Sequence, residues 1–323
     1  VSLTHYRAIA HVLEEQSANI SHLDMNQLSV FQLTLLDSLL YHFSTRLIFE
    51  KDIDDLCSSF PYQTISKYID AFETDSRGAH QQAAILPVLG RTPPALFLYI
   101  YQLTWLSRQL PFDYDDNYAQ ALQCSTELEN LRQSFPVVNF ENTGLAGDVA
   151  GQTTLTHSEV SAKLYFLTTQ IFLAKVLNPE GVCNDSPQIY GLLERGMDLL
   201  KLFDATAPCG QFICWPLLVL GCVACAITPS EARREQPQDS EELLRFEVRG
   251  IIQRTLVQIW KISYSGHVRR TAGALEKIWN LPSFLARLPE VGRPSSLEGQ
   301  YDGLNALIYR NGLGPALLSP DDG

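Results

Sequence analysis

Residues 212–228 read FICWPLLVLGCVACAIT, and no charged side chain interrupts them. This is the densest apolar run in the chain. Water is its worst environment, so it must enter a membrane, a protein core or a partner. A membrane-spanning helix needs about 20 predominantly apolar residues. This run is shorter, contains Pro216 and has no positive charge on its N-terminal flank. The pattern predicts a core helix that is apolar on every side, and no membrane contact. Pro216 then sits in the first helical turn, where proline is tolerated.

Upstream of that run, apolar residues recur every three or four positions. Residues 4–16 read as helix on Tyr6, Ile9, Ala10 and Leu13. Residues 25–49 read as a longer one, with Leu28, Phe31, Leu35, Leu36, Leu39, Leu40, Phe43 and Leu47 as its buried stripe. A turn at Phe60-Pro61 leads into a short helix, and residues 81–89 read as another helical piece. Pro94 opens a long apolar helix that ends near Pro111. Residues 118–135 follow, with Ala121, Leu122, Leu128 and Leu131 at helical intervals. Residues 140–153 hold three glycines and read as a loop. Thr156 and Glu159 form a capping box for a helix that stops at Asn178-Pro179, and residues 186–202 give the next one.

Downstream, Thr228-Pro229-Ser230-Glu231 is a second capping-box match. A long helix from Asp239 carries Leu244, Val248, Ile251, Ile252, Leu256, Ile259 and Trp260, and Gly266 ends it. Residues 269–279 form a separate helix, with Ala272, Leu275, Ile278 and Trp279 inward. No run alternates with a period of two, so no strand is expected. The predicted fold is all-α, with ten to twelve helices around the central apolar helix. A helical-pair array is compatible with it, although no fixed-period repeat is present. A single domain over residues 1–323 is expected, with an N-terminal half (1–140), a loop (141–155), a C-terminal half (156–290) and an irregular tail (291–323).

Of the 323 residues, 46% are hydrophobic and 19% charged, a globular balance. The net charge of −12 argues against direct nucleic-acid contact, which rests on Lys and Arg neutralising phosphates. The seven cysteines have no framework spacing, so they read as core thiols in a reducing, intracellular setting. The first residues lack a basic leader with a long apolar segment. Position 1 is Val, so the sequence reads as part of a longer product or as a processed form.

Catalytic and cofactor motifs are missing: there is no phosphate-binding glycine loop, GxGxxG, GxSxG or HExxH. His157-Ser158-Glu159 has the HxE shape of zinc deaminases, but the required PCxxC is absent, and the helix cap explains Glu159. Cys222 and Cys225 have CxxC spacing without a second pair or a nearby histidine, so they read as core side chains. The acidic runs at Asp52, Asp54, Asp55 and at Asp113, Asp115, Asp116 lack the calcium-loop pattern. Arg245, Arg249, Arg254, Lys261, Arg269, Arg270 and Lys277 make one local basic segment. It reads as the polar face of two amphipathic helices, with Glu241, Glu242, Glu247 and Glu276 interleaved. Docking of an acidic partner is its functional alternative.

Trp215-Pro216-Leu217 and Gly221-Cys222, followed by IIQRTLVQIWKISYSGHVRRTAGALEKIW at 251–279, resemble the C-terminal regulatory domain of fungal zinc binuclear cluster transcription factors. Val88-Leu89-Gly90 with Pro93-Pro94-Ala95-Leu96 and the helix at 162–177 resemble two further segments of that family. The resemblance covers about residues 85–290. Its motif residues here are Trp215, Pro216, Leu217, Gly221, Cys222, Trp260, Arg269, Arg270 and Trp279. It implies a nuclear regulatory domain that controls an attached zinc-cluster DNA-binding module. This chain lacks the six-cysteine module, so no cofactor is expected in it; zinc belongs to an upstream module. The partners implied are a transcriptional coregulator, a small hydrophobic effector or a second copy in a homodimer. Trp260 and Trp279 are expected to pack in the core. Two alternatives stay open: a stand-alone enzyme of secondary metabolism that binds a small molecule, and a helical scaffold for proteins.

Overall fold

The computed structural model describes residues 7–9, 11–12, 15, 28–50, 57–58, 60–78, 86, 88–112, 114–135, 155–207, 210–225, 239–280 and 302–308. Among them the chain is all-α, with ten α-helices, two short 3-10 turns and no strand. The helices are α1 (Val30–Arg46), α2 (Tyr62–Gly78), α3 (Pro94–Ser107), α4 (Asp115–Ser134), α5 (His157–Leu177), α6 (Pro187–Leu202), α7 (Cys214–Val223), α8 (Ser240–Ser263), α9 (Gly266–Trp279) and α10 (Asn305–Ile308). The 3-10 turns are Leu47–Phe49 and Gly210–Phe212.

Two helices share the centre. All ten residues of α7 are buried, and Pro216 lies in its first turn as the sequence requires. Beside it runs α5, which packs on α3, α4, α6 and α7. By length and composition α5 could cross a membrane, yet 83% of its apolar window is buried in the protein. Its start is fixed by the expected capping box. Glu159 N–H donates to Thr156 Oγ1, and Glu159 accepts from the Thr156 amide at 2.7 Å. The same carboxylate meets Arg91 at 2.6 Å, so Glu159 serves as cap and ion-pair partner. Around this centre α1 packs on α3, and α8 and α9 pack on α7. The last described segment, 302–308, also reaches the core: α10 contacts α3 and α7.

Several local readings are corrected. Val88 and Leu89, expected to end a helical piece over 81–89, instead lie in a turn, with Leu86 and Gly90 joined by an isolated bridge and Gly90 at φ 63°; residues 81–85 and 87 lie outside the described residues. Phe31 and Leu122 are exposed, because α1 and α4 bury narrower stripes than their apolar content suggests. Gly266 begins α9; the break after α8 comes from Tyr264, whose φ of 48° is left-handed. Cys225 lies just beyond α7, not inside it. The loop at 140–153, the second capping box at 228–231 and most of the tail lie outside the described residues.

Candidate functional site

The motif residues of α7 tie helices together. Trp215 is fully buried, stacked on Tyr165 at 6.2 Å and edge-on to Phe172 at 6.0 Å. Pro216, Leu217 and Cys222 are buried with it. Gly221 lets α9 come close: a Cβ there would stand 2.4 Å from Leu275 Cδ2. Trp279 Nε1 then donates to the Gly221 carbonyl at 2.8 Å. On the other side, Asn184 Nδ2 donates to the Cys222 carbonyl at 3.1 Å. The two sequence segments that carry the resemblance therefore meet in space, with α9 seated on α7.

Beyond that contact, α8 and α9 enclose a half-open groove of about 980 Å³. Trp260, Arg269 and Trp279 line it together. Arg270 is exposed on α9 outside the groove, and Trp215, Pro216, Leu217, Gly221 and Cys222 lie beneath it in the core. Trp260 corrects the expectation of a packed tryptophan: it is 36% exposed, with its ring edge-on to Tyr264. Trp279 is half-buried, and Ala272 faces outward into the groove. Sequence reading also missed Phe246, Gln253 and Val257 in the wall. Their signal was a second apolar stripe on α8, opposite the core stripe of Leu244, Val248, Ile252 and Ile259.

The basic segment divides by environment. Arg245 is buried, 3.8 Å from Glu241. Arg249 lies over the Phe246 ring at 5.9 Å, a cation–π contact at the groove wall. Arg254, Lys261, Arg269 and Arg270 are exposed. The groove thus offers aromatic and aliphatic surface edged by guanidinium groups, with Glu276 as the one carboxylate among its described lining residues.

Other titratable groups lie buried or half-buried elsewhere. Asp37 accepts from Tyr68 Oη and from the Val88 amide, and burial raises its carboxyl to about 6. His267 and His42 are held neutral: burial lowers them to about 3 and about 4. None of the three lines the groove. A second cavity of about 380 Å³ lies between α3 and α4, lined by Tyr101, Gln102 and Cys124 among others. Cys124 donates weakly to Gln102 there, and burial pushes its thiol up to about 11. Cys214 is pushed up to about 12 and Cys222 well above the usual thiol range, both by burial, so these thiols are unreactive core groups. Among the described residues no His, Cys, Asp or Glu cluster could hold a metal ion.

Comparison with known proteins gives one finding that bears on this geometry. The family model for the fungal-specific transcription factor domain matches residues 56–283, which includes α7, α8, α9 and their groove. Neither the curated proteins nor the solved structures contain a significant match. The match spans more than half of the 323 residues, so the chain belongs to the fungal-specific transcription factor domain family, and its role is in transcription regulation.

Proposed function

We propose that this chain is the regulatory domain of a nuclear transcription factor, and that it controls an attached zinc-cluster DNA-binding module by docking a partner in the α8–α9 groove. Zinc would reside in the attached module, and this chain would leave DNA contact to it. Its charge of −12 supports that division, since phosphate binding needs positive surface. The observation that carries the reading is Trp260. A tryptophan left 36% exposed beside Val257 and Phe246 presents a large aromatic surface that no other described residue covers. Exposed aromatic patches rimmed by Arg are the usual composition of binding hot spots.

A small hydrophobic effector is the second reading. The groove volume of about 980 Å³ favours it, being near the top of the roughly 300–1,000 Å³ range of ligand pockets. The half-open shape favours a helical or extended partner instead, which can lie along both walls. For enzymatic action the groove supplies shape and charge from Arg249, Arg269 and Glu276, with no nucleophile paired to a base among its described lining residues.

The test is a reporter assay with the 323-residue chain fused to an unrelated DNA-binding module. The fusion should change transcription relative to the module alone. Trp260→Ala should reduce that change severalfold without lowering protein level. A reporter blind to the presence of the chain would sink the proposal.

A further inference from the structure

The cavity of about 380 Å³ between α3 and α4 shares no described lining residue with the α8–α9 groove. Its walls come from three helices. Tyr62 stands at the start of α2, Tyr101 and Trp105 belong to α3, and Glu127 comes from α4. Residues four apart share a helix face, so Tyr101 and Trp105 present their rings from one side of α3. Tyr62 is 53% exposed, whereas Tyr101, Trp105 and Glu127 are half-buried. The rings are held from behind. Phe60 stacks on Tyr101 at 4.2 Å with 15° between the planes, and it is not among the described lining residues, so the cavity meets Tyr101 away from Phe60. Phe60 also lies 6.4 Å from the Tyr62 ring. The Tyr101 hydroxyl is hydrogen-bonded to Cys57, which fixes the far end of that ring.

Charge decides what such a cavity accepts. Among its described lining residues there is no Lys, Arg or His, and Glu127 is the one carboxylate. Glu127 accepts from Gln123 Nε2 at 2.7 Å, a neutral donor, and among the described residues no cation pairs with it. Its field reaches the wall: after burial, the Glu127 charge is the next cause that pushes the Cys124 thiol up to about 11. An anion here would meet a carboxylate and the negative faces of aromatic rings. A neutral ligand would leave the half-buried carboxylate uncompensated. A cation satisfies both walls at once. A metal ion would need several oxygen ligands at short range, whereas one carboxylate among aromatic rings suits a cation clad in methyl groups.

We propose that this cavity binds a small organic cation, a methylated alkylammonium whose head lies among Tyr62, Tyr101 and Trp105 with its charge balanced by Glu127. Its volume is near the lower end of the roughly 300–1,000 Å³ range of ligand pockets, which sets the ligand to the size of choline. The site stands apart from the docking groove, and neither depends on the other.

Isothermal titration calorimetry of the 323-residue chain tests it, with choline and with its uncharged dimethylbutanol isostere, in which carbon replaces the quaternary nitrogen. Choline should bind with a Kd below about 1 mM, and the isostere at least about tenfold more weakly. Glu127→Gln keeps the shape of the side chain and should weaken choline at least about tenfold. Tyr62→Leu, at an exposed position, should weaken it severalfold, and Tyr62→Phe should retain it. Helical circular dichroism equal to that of the parent checks that each variant is folded. Equal binding of the two probes, no choline binding up to about 10 mM, or a choline affinity indifferent to Glu127→Gln overturns the inference. An affinity lost in Trp260→Ala instead would put choline in the α8–α9 groove and overturn it as well.

Discussion

His267 shows how one half-buried side chain carries pH into stability. It opens α9 beneath α1, with its ring edge-on to Phe49 at 5.4 Å and Nδ1 3.4 Å from Tyr41 Oη. Its Nε2 is buried without a hydrogen-bond partner among the described residues. Burial, with His42, Arg270 and Arg46 nearby, lowers the ring from 6.5 to about 3. The unfolded chain therefore binds a proton below about pH 6.5 that the folded chain refuses, and stability falls as pH drops. Asp37 opposes this: its raised carboxyl takes a proton more readily when folded, which favours folding as pH drops through 6. Comparing a variant with the parent isolates one group from the other. Each such histidine costs about 2 kcal/mol between about pH 7 and about pH 5. His267→Phe should recover that amount of the acid loss, measured as urea unfolding free energy at the two pH values. An acid loss equal to that of the parent would mean that His267 titrates normally in the fold.

Helix contacts explain which glycines matter. Gly221 of α7 lies against Leu275 of α9, and Gly221→Ala would place a Cβ 2.4 Å from a fully buried leucine methyl. Overpacking of this kind costs about 1–3 kcal/mol, and it would also push the Gly221 carbonyl away from Trp279 Nε1. Gly191 of α6 has no atom within 4 Å of its built Cβ. Gly191→Ala should therefore raise stability by up to about 1 kcal/mol through helix propensity alone. Thermal midpoints moving in opposite directions would bear this out; a neutral Gly221→Ala would mean that α9 is free to shift on α7. Helix existence was legible because α5 and α8 have capped starts at Thr156 and Asp239, and α6 opens on Pro187. The direction of single side chains was less so. On α8 the core stripe and the outer stripe both satisfy helical periodicity, and periodicity alone gives no reason to turn Trp260 outward. Tyr264 was overlooked as the helix stop because a left-handed tyrosine is uncommon, and Gly266 two residues later looked like the ordinary breaker.

Long-range closure of the fold was the least legible feature, since its partners lie 127 positions apart. Lys175 on α5 has its ammonium fully enclosed, with 1% of the side chain exposed. It uses all three donors: the Pro179 carbonyl at 2.7 Å, the Val182 carbonyl at 2.6 Å and Asp302 Oδ2 at 2.6 Å. Asp302, 4% exposed, also accepts from the Leu304 amide at 3.0 Å and so starts the turn into α10. Gly303 fits there because a Cβ would stand 2.2 Å from the Cys222 carbonyl. The segment 302–308 is thereby pinned on the end of α7 that carries the GC pair. A lysine in a helix and an aspartate in a Gly-rich tail carry no local mark of such pairing. Breaking one member of a buried pair leaves the other charged and uncompensated, at about 3–5 kcal/mol. Asp302→Asn and Lys175→Met should each lose about that much in denaturant unfolding. The double variant should lose clearly less than the sum, because the orphaned charge is absent from it. Additive losses would mean that 302–308 is held by the burial of Leu304, Leu307 and Ile308 rather than by the ion pair.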